Sequence, residues 1–232
     1  RINSTFDIFW RNNYDLIGPT PTQGAGGEIV RPANMASMKS RGQEFSLQTQ
    51  NFKLKDFSWT TNLIFSHVTT EVTDLMSQVR TMDLISQNGF AVVGYPYRGL
   101  FSIPYAGLDE HGIPQLYTPE GEKTSTDIDF QNRDKNSYLI YEGPSDPTIT
   151  GSFGNEFRYK NWRLNIFVTY NFGNVIRLDP VFRAKYSDLT AMTKEYRNRF
   201  MQSGDENITS IPGILDRRTY KSNRQLSYGY NA

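Results

Sequence analysis

Apolar and polar residues alternate along much of this chain with a period of two. In the first segment Phe6, Ile8, Trp10, Tyr14 and Leu16 alternate with Thr5, Asp7, Arg11, Asn13 and Asp15, and only Phe9 and Asn12 break the rule. That period is the signature of a strand whose two faces meet different surroundings. Phe45, Leu47 and Thr49 then alternate with Glu44, Ser46, Gln48 and Gln50. Past the polar connection Lys53-Leu54-Lys55-Asp56, the residues Phe57, Trp59, Thr61, Leu63 and Phe65 alternate with Ser58, Thr60, Asn62 and Ser66. This spacing predicts a hairpin of strands about ten residues long, the length that crosses a bilayer at a barrel's tilt.

Two more pairs follow. Tyr97, Phe101, Ile103 and Tyr105 run up to Leu108, Asp109-Glu110-His111-Gly112 reads as a tight turn, and Ile113 to Thr118 as a shorter return. Phe153, Asn155, Phe157 and Tyr159 lead to a turn at Lys160-Asn161, and Leu164, Ile166, Val168, Tyr170 and Phe172 lead away from it. The other face of that last strand carries Arg163, Asn165, Thr169 and Asn171, with Phe167 out of pattern.

The pattern therefore predicts strands near 2–17, 41–52, 57–72, 97–108, 112–118, 152–160 and 162–173. Short turns alternate with long Gly-, Pro- and Ser/Thr-rich loops near 18–40, 73–96 and 119–151, and an outer loop or tail runs over 174–232. Long loops on one side and short turns on the other are the layout of a single-chain outer-membrane barrel, whereas compact soluble domains seldom hold several loops this long. The expected fold class is all-β, an antiparallel transmembrane β-barrel, present as an arc of about seven strands with long extracellular loops. One loop helix is expected near 188–203, where Leu189, Met192, Tyr196 and Phe200 recur at helical spacing after Asp188 and before Gly204.

Composition supports this picture. Aromatic residues make up 14% of the 232 residues, with 14 Tyr and 15 Phe, yet mean hydropathy is only −0.58. No run of about 18 apolar residues is present to form a membrane helix, while a barrel needs aromatic girdles and apolar side chains at only every second position. A net charge of +1 with both signs interspersed gives no electrostatic case for nucleic acid. Cysteine is absent, which removes thiol catalysis, disulfides and Cys-based zinc sites. Residue 1 opens directly on a strand pattern with no leader, so a start inside a longer protein is expected.

Catalytic constellations are missing. His67 and His111 have no company at ligand spacing, Asp127-Ile128-Asp129 lacks the Gly and Glu of a calcium loop, and Gly24-Ala25-Gly26-Gly27 is no phosphate loop. Neither an enzyme activity nor a cofactor is expected. The candidate functional residues are instead the polar alternates of the strands: Asp7, Arg11, Asn13, Glu44, Gln48, Asn62, Glu156, Arg158 and Asn165, read as facing a water-filled lumen. Tyr95 and Tyr117 are loop aromatics suited to stacking on a substrate.

Several stretches, in order, resemble the SusC/RagA family of TonB-linked outer-membrane proteins. Tyr14-Asp15-Leu16-Ile17 is similar to a "YDLL"-like strand end, and the run from Asn34 to Phe45 to "N-x-G-x-(L/M)-x-N-x-G-x-E", with Ala36 and Ser40 as departures. Gly94-Tyr95-Pro96, then Tyr105-Ala106-Gly107-Leu108-Asp109 and Gly112-Ile113-Pro114, resembles "EGYP…Y-x-G-(L/I)-D-x-x-G-x-P". Gly143 to Asn155, Tyr159 to Leu164 and Tyr170-Asn171-Phe172-Gly173 continue the likeness.

The resemblance implies a barrel of about 22 strands whose lumen is plugged by a domain outside this chain. It implies coupling to TonB through that missing region, a SusD-like surface lipoprotein over the extracellular loops, a setting in outer-membrane lipid, and import of a glycan or peptide substrate. Siderophore or vitamin uptake by another TonB-dependent receptor, a secreted carbohydrate-binding module and a structural adhesin barrel remain the alternatives.

Overall fold

A computed structural model describes residues 1–21, 30–86, 89–178, 181 and 193–214, with side chains left aside over 18–33. In chain order the strands are β1 (Ile2–Pro21), β2 (Val30–Lys53), β3 (Phe57–Leu75), β4 (Gly99–Ser102), β5 (Tyr105–Leu108), β6 (Pro114–Tyr117), β7 (Lys123–Thr124), β8 (Ile140–Pro144), β9 (Ile149–Tyr159) and β10 (Trp162–Phe172). One α-helical turn, α1, covers Thr81–Leu84. The chain divides into two compact units: Arg1–Ser77, Ala91–Arg98 and Pro144–Val175 form the first, and Gln78–Phe90, Gly99–Gly143 and the residues from Ile176 onward form the second.

The first unit is one antiparallel sheet in the order β1-β2-β3-β9-β10. Its register carries the alternation of each strand straight into the next. Phe6, Phe45, Phe65, Gly151 and Tyr170 stand side by side, and so do Ser4, Leu47, Leu63, Phe153 and Val168. One face is therefore a continuous apolar surface. Toward the short turns it ends in Phe57, Tyr159 and Trp162, next to a stack of Phe52, Trp59 and Phe157 with ring centroids 5.8 and 5.5 Å apart. Toward the long connections it ends in the row of Ile8, Gln43, His67, Ile149 and Phe172. From Phe57 to His67 the strand rises roughly 33 Å, or about 25 Å at a barrel's tilt, which matches the apolar band of an outer-membrane barrel.

Polar groups on this apolar face are tied to one another. Thr49 Oγ1 donates to Asn51 Oδ1 at 2.8 Å, Asn51 Nδ2 to Thr61 Oγ1 at 2.7 Å, and Thr61 Oγ1 to Asn155 Oδ1 at 2.8 Å. Asn155 Oδ1 also accepts from Trp59 Nε1 at 2.9 Å. A polar group left unpaired in an apolar setting costs several kcal/mol by transfer measures, roughly 2–7, and this ladder removes that cost.

The two aromatics that broke the alternation have a structural explanation. Phe9 lies directly opposite Gly42, and Phe167 directly opposite Gly154. Each ring occupies the space where the facing glycine lacks a Cβ, so an aromatic on the polar face covers bare backbone instead of standing in water. Tyr170 uses Gly151 the same way on the apolar face, and its hydroxyl donates to the Ile64 carbonyl at 3.1 Å.

Both short turns fall where the pattern placed them. β9 and β10 are joined by Lys160-Asn161, with Lys160 at φ 50°. The Lys160 N–H donates to the Asp56 carbonyl of the neighbouring turn at 2.8 Å.

Two expectations are corrected. The loop expected over 18–40 is largely strand, because β1 runs to Pro21 and β2 begins at Val30, paired as far as Pro21↔Val30. Pro19 faces Pro32, so the two missing N–H donors share one pair position and the ladder continues. Gly24-Ala25-Gly26-Gly27 lies outside the described residues. Conversely, the segments 97–108 and 112–118 are not strands of the wall, which among the described residues has five members and not about seven. Pro104, which has no N–H to give, separates β4 from β5. β4 pairs with β8, while β5, β6 and β7 form a small sheet of their own.

These short strands belong to the second unit, which holds most of the buried apolar side chains. Leu84, Leu100, Phe101, Ile103, Leu108, Leu116, Ile128, Phe130 and Leu139 are buried there, against Ala36, Val72 and Ala91 in the first unit. Segments expected as two wall strands and as loops thus build a core together. Arg80 and Asp83 close α1 with a 2.7 Å ion pair. Burial alone would push the Asp83 carboxyl up, but the hydrogen bonds and charge of Arg80 outweigh it and hold that carboxyl below its ordinary value. Thr81, fully buried, donates to Asn136 Oδ1 at 2.8 Å. The expected turn at Asp109–Gly112 is present: Asp109 Oδ1 accepts from the N–H groups of His111 and Ile113 at 2.9 and 2.8 Å, and Gly112 takes φ 75°. Of the helix expected over 188–203, residues 188–192 lie outside the described residues, and Lys194–Asn198 form a 3-10 helix instead of an α-helix. Phe200 leaves that turn to pack on Gly112 and Gly213, and its N–H donates to the Ile211 carbonyl at 2.9 Å.

A Cβ at Gly151 would collide with the Ile64 carbonyl of the backbone as well as with Tyr170. Gly151→Ala is expected to cost about 1–3 kcal/mol and to lower the temperature at which the folded barrel loses its compact mobility on a detergent gel. An unchanged transition would show that β3 and β9 are not held in this register.

Candidate functional site

Opposite the apolar face lies a polar one. The register places all nine polar candidates on it: Asp7, Arg11 and Asn13 from β1, Glu44 and Gln48 from β2, Asn62 from β3, Glu156 and Arg158 from β9, and Asn165 from β10. Which face each would share with which neighbour depends on strand pairing, and the pairing gathers them into distinct groups.

Nearest the short turns is a cluster of charges. Arg158 and Arg163 stand directly across from each other, and Glu156 lies between them diagonally. Glu156 Oε2 accepts from Arg163 Nη2 at 2.8 Å, and Glu156 Oε1 pairs with Arg158 Nε. Like charges directly opposite repel, so the two guanidiniums are held together by the carboxylate they share. Arg163 is not among the sequence-based candidates; its place on the face was legible, but its diagonal partner two residues along the neighbouring strand was not. Asn165 stands opposite Glu156 in the next row.

Further along, Gln48 and Asn62 face each other with Asn3 on the far side of Gln48. Two rows beyond, Asp7 is directly opposite Glu44, and Ser66 completes the row with its hydroxyl 3.4 Å from Glu44 Oε1. Two carboxylates side by side are a local cost in a sheet. Phe9 follows, with the Arg11 guanidinium 4.4 Å above its ring centroid, an arrangement that favours the cation. Asn13, opposite Met38, ends the set. The polar face thus runs from a cationic row, through amides, to an anionic row and back to a cation.

The two loop aromatics do not form a common site within one unit. Tyr95 belongs to the first unit, where its carbonyl accepts the Val72 N–H at 2.9 Å. Tyr117 belongs to the second, on β6, with Lys123 Nζ 5.9 Å from its ring centroid. In the same unit Tyr138 has its hydroxyl pushed up to about 12 by burial and by the negative charges of Asp129 and Glu120, so it remains a proton donor at any physiological pH. His67 stands on the apolar face, and His111 sits in an exposed turn 3.8 Å from Glu110. Among the described residues no group of three or more His, Cys, Asp or Glu side chains is placed to hold a metal ion, and no helix is long and apolar enough to cross a membrane.

An antiparallel sheet with one apolar face about 25 Å tall, aromatic residues at its border and a polar opposite face is the wall of an outer-membrane type β-barrel. Comparison with known proteins agrees. No protein-family model matches the chain. TonB-dependent receptor P3 of Formosa agariphila is 23% identical over 257 residues, covering 100% of this chain and 25% of the relative, and TonB-dependent receptor P39 of the same organism is 23% identical over 280 residues, covering 98% and 26%. Among solved structures, the RagAB peptide transporter matches with a TM-score of 0.68 and 23% identity over 92% of this chain and 24% of that one. The RagAB peptide importer in its closed-closed state matches with a TM-score of 0.67 and 22% identity, over 94% and 24%. The chain therefore shares the fold of a stretch of the RagAB structures, and it spans about a quarter of the length of the relatives it matches.

Glu156→Gln would leave Arg158 and Arg163 facing each other without their shared anion. The variant is expected to unfold at a lower temperature than the parent, and the deficit is expected to shrink as salt is raised from about 0.01 M to about 1 M, where the screening length falls from roughly 30 to roughly 3 Å. A deficit independent of salt would mean that Glu156 acts by packing and not by charge.

Proposed function

We propose that this chain forms part of the wall of an outer-membrane active importer. Its polar face lines the substrate path, and its apolar face meets lipid. The observation that carries this reading is the segregation itself: nine polar positions on four hydrogen-bonded neighbours and their edge partner fall on one face, opposite a band of the height a bilayer requires. Energy comes from the inner membrane through TonB, engaged by a region outside this chain. A SusD-like surface lipoprotein covers the extracellular loops; the RagAB neighbours support such a partnership, and the chain itself has a well-packed loop unit to present.

The substrate is a peptide in this reading, with a glycan oligosaccharide as the second candidate. Rows of opposite charge, Arg158 with Arg163 and Asp7 with Glu44, match the mixed charges of an oligopeptide better than the neutral hydroxyls of a sugar. The peptide transport named for the RagAB structures points the same way. Weak contact at several rows suits passage, since a site that binds too tightly does not release. The path requires no covalent chemistry, and none of the proposed roles is catalytic.

The test is uptake. Cells carrying the complete transporter are expected to take up labelled oligopeptides in a manner abolished by a protonophore, and Asp7→Asn with Glu44→Gln is expected to change the apparent affinity for cationic peptides about tenfold, as the loss of roughly 1.4 kcal/mol would. Equal uptake by parent and double variant would remove this row from the path. Uptake of oligosaccharides but not peptides would select the second substrate.

A further inference from the structure

Just above the apolar band, still on its own side of the sheet, the surface changes character. The rows beyond Ile8, Gln43 and His67 are Trp10, Arg41 and Thr69, then Asn12, Lys39 and Glu71. Two adjoining depressions open here. One, of about 370 Å³, is lined by Ile8, Trp10, Arg41, Gln43 and His67 among others, and the second, of about 410 Å³, by Trp10, Lys39, Arg41, Thr69 and Glu71 with Gly94 at its edge. Trp10, Arg41 and Thr69 are common to both.

The cations are arranged but not consumed. Arg41 donates only from Nε among the described residues, to Thr69 Oγ1 at 3.3 Å, leaving the two Nη groups of its fork for another acceptor. Lys39 Nζ is steadied by Glu71 Oε1 at 3.0 Å, and its side chain is half exposed. Trp10 is 75% exposed, an unfavourable state in water and an ordinary one at a membrane interface, where an amphipathic ring sits at headgroup depth. A guanidinium fork and an ammonium side by side form a receptor for phosphate oxygens. Below them Ile8 and then Phe6, Phe45 and Phe65 continue down the same face as apolar surface.

We infer that this notch holds the phosphate of an outer-leaflet membrane lipid, gripped by Arg41 and Lys39, with its headgroup against Trp10 and its acyl chains along the apolar face below. The inference rests on the membrane-spanning reading proposed above. The occupant is a lipid and not a soluble anion because the notch opens on the lipid-facing side, at the border where headgroups lie, and because the end of a barrel opposite its short turns is its extracellular end. A soluble phosphate would meet the same two cations but would gain nothing from Trp10 and the apolar rows.

The complete transporter, reconstituted in nanodiscs of zwitterionic lipid, is titrated with a phosphorylated glycolipid, with the same glycolipid stripped of phosphate, and with inorganic phosphate alone, and retained lipid is counted by native mass spectrometry. The parent is expected to retain the phosphorylated lipid about tenfold more tightly than Lys39→Gln/Arg41→Gln, and to retain the dephosphorylated lipid no better than that variant does. Lys55→Gln/Lys160→Gln, at the short-turn end, is expected to bind like the parent. Equal retention by parent and Lys39→Gln/Arg41→Gln would overturn the site, and so would displacement of the lipid by an equal concentration of inorganic phosphate. Compact, heat-modifiable mobility on a detergent gel, checked for each variant, separates these outcomes from failure of the membrane reading, in which no variant would insert at all.

Discussion

From the row of Thr61 to the row of His67, the register of five strands does not slip. The shifts lie outside those rows: in β1–β2 between Asn13 and Leu16, next to Asp15 at φ 53°, and between Leu16 and Ile17, and in β2–β3 between Ser37 and Met38 and between Gln50 and Phe52, close to the short turn. Because side chains alternate with a period of two, a shift by one residue would exchange the faces. Asp7, Glu44 and Arg158 would then enter the lipid layer, where a basic side chain at the midplane costs roughly 2–4 kcal/mol, and Phe6, Phe45 and Phe153 would enter water. Lipid also forbids unpaired backbone groups, so the strands have no alternative way to satisfy their N–H and C=O groups. Register, face polarity and backbone closure are thus one constraint, and the glycine–aromatic pairs at Gly42, Gly154 and Gly151 are the local devices that mark it.

The two units meet that constraint differently. In the wall, side chains find few neighbours inside the sheet, and exposures reach 80% for Trp162 and 72% for Ile2 on the two end strands. The second unit behaves as an ordinary soluble fold: it has a buried core, a closed ion pair at Arg80 and Asp83, and turns capped by Asp109 and Asn132. Stability in the wall comes from hydrogen-bonded neighbours and bilayer, and in the loop unit from hydrophobic burial. A chain with mean hydropathy of −0.58 satisfies both, because only alternate residues of the wall need be apolar.

What was legible in the sequence follows from the same physics. Alternation over Phe57–Phe65 and Phe153–Tyr159 gives face and strand directly, so the nine polar candidates were assigned to a shared face without any knowledge of pairing. Turns at Lys160-Asn161 and Asp109–Gly112 were legible from their residue types. Pairing is not written in one strand's pattern: that Asp7 meets Glu44, that Arg158 meets Arg163, or that Phe9 and Phe167 each find a glycine appears only when strands far apart in sequence are set side by side. The loop unit was hidden for another reason. Leu84, Phe130 and Leu139 are too scattered among Pro, Gly and polar residues to show a period, yet they are buried in one unit, while Phe101 and Ile103 alternate just as residues of a wall strand would. The extension of β1 and β2 through Pro19 and Pro32 was hidden because proline argues locally against a strand, and only the facing of the two prolines makes it tolerable.

The central claim is that one face of this sheet meets lipid and the other meets water. Since the chain contains no cysteine, single cysteines can be placed along it at will in a cysteine-free transporter. Labelling of intact outer membranes with a small, water-soluble maleimide is expected to modify Cys at positions 48, 62 and 165 while sparing positions 47, 63 and 164, alternating residue by residue along β2, β3 and β10. Labelling that fails to alternate, or that alternates with the opposite phase, would contradict the account.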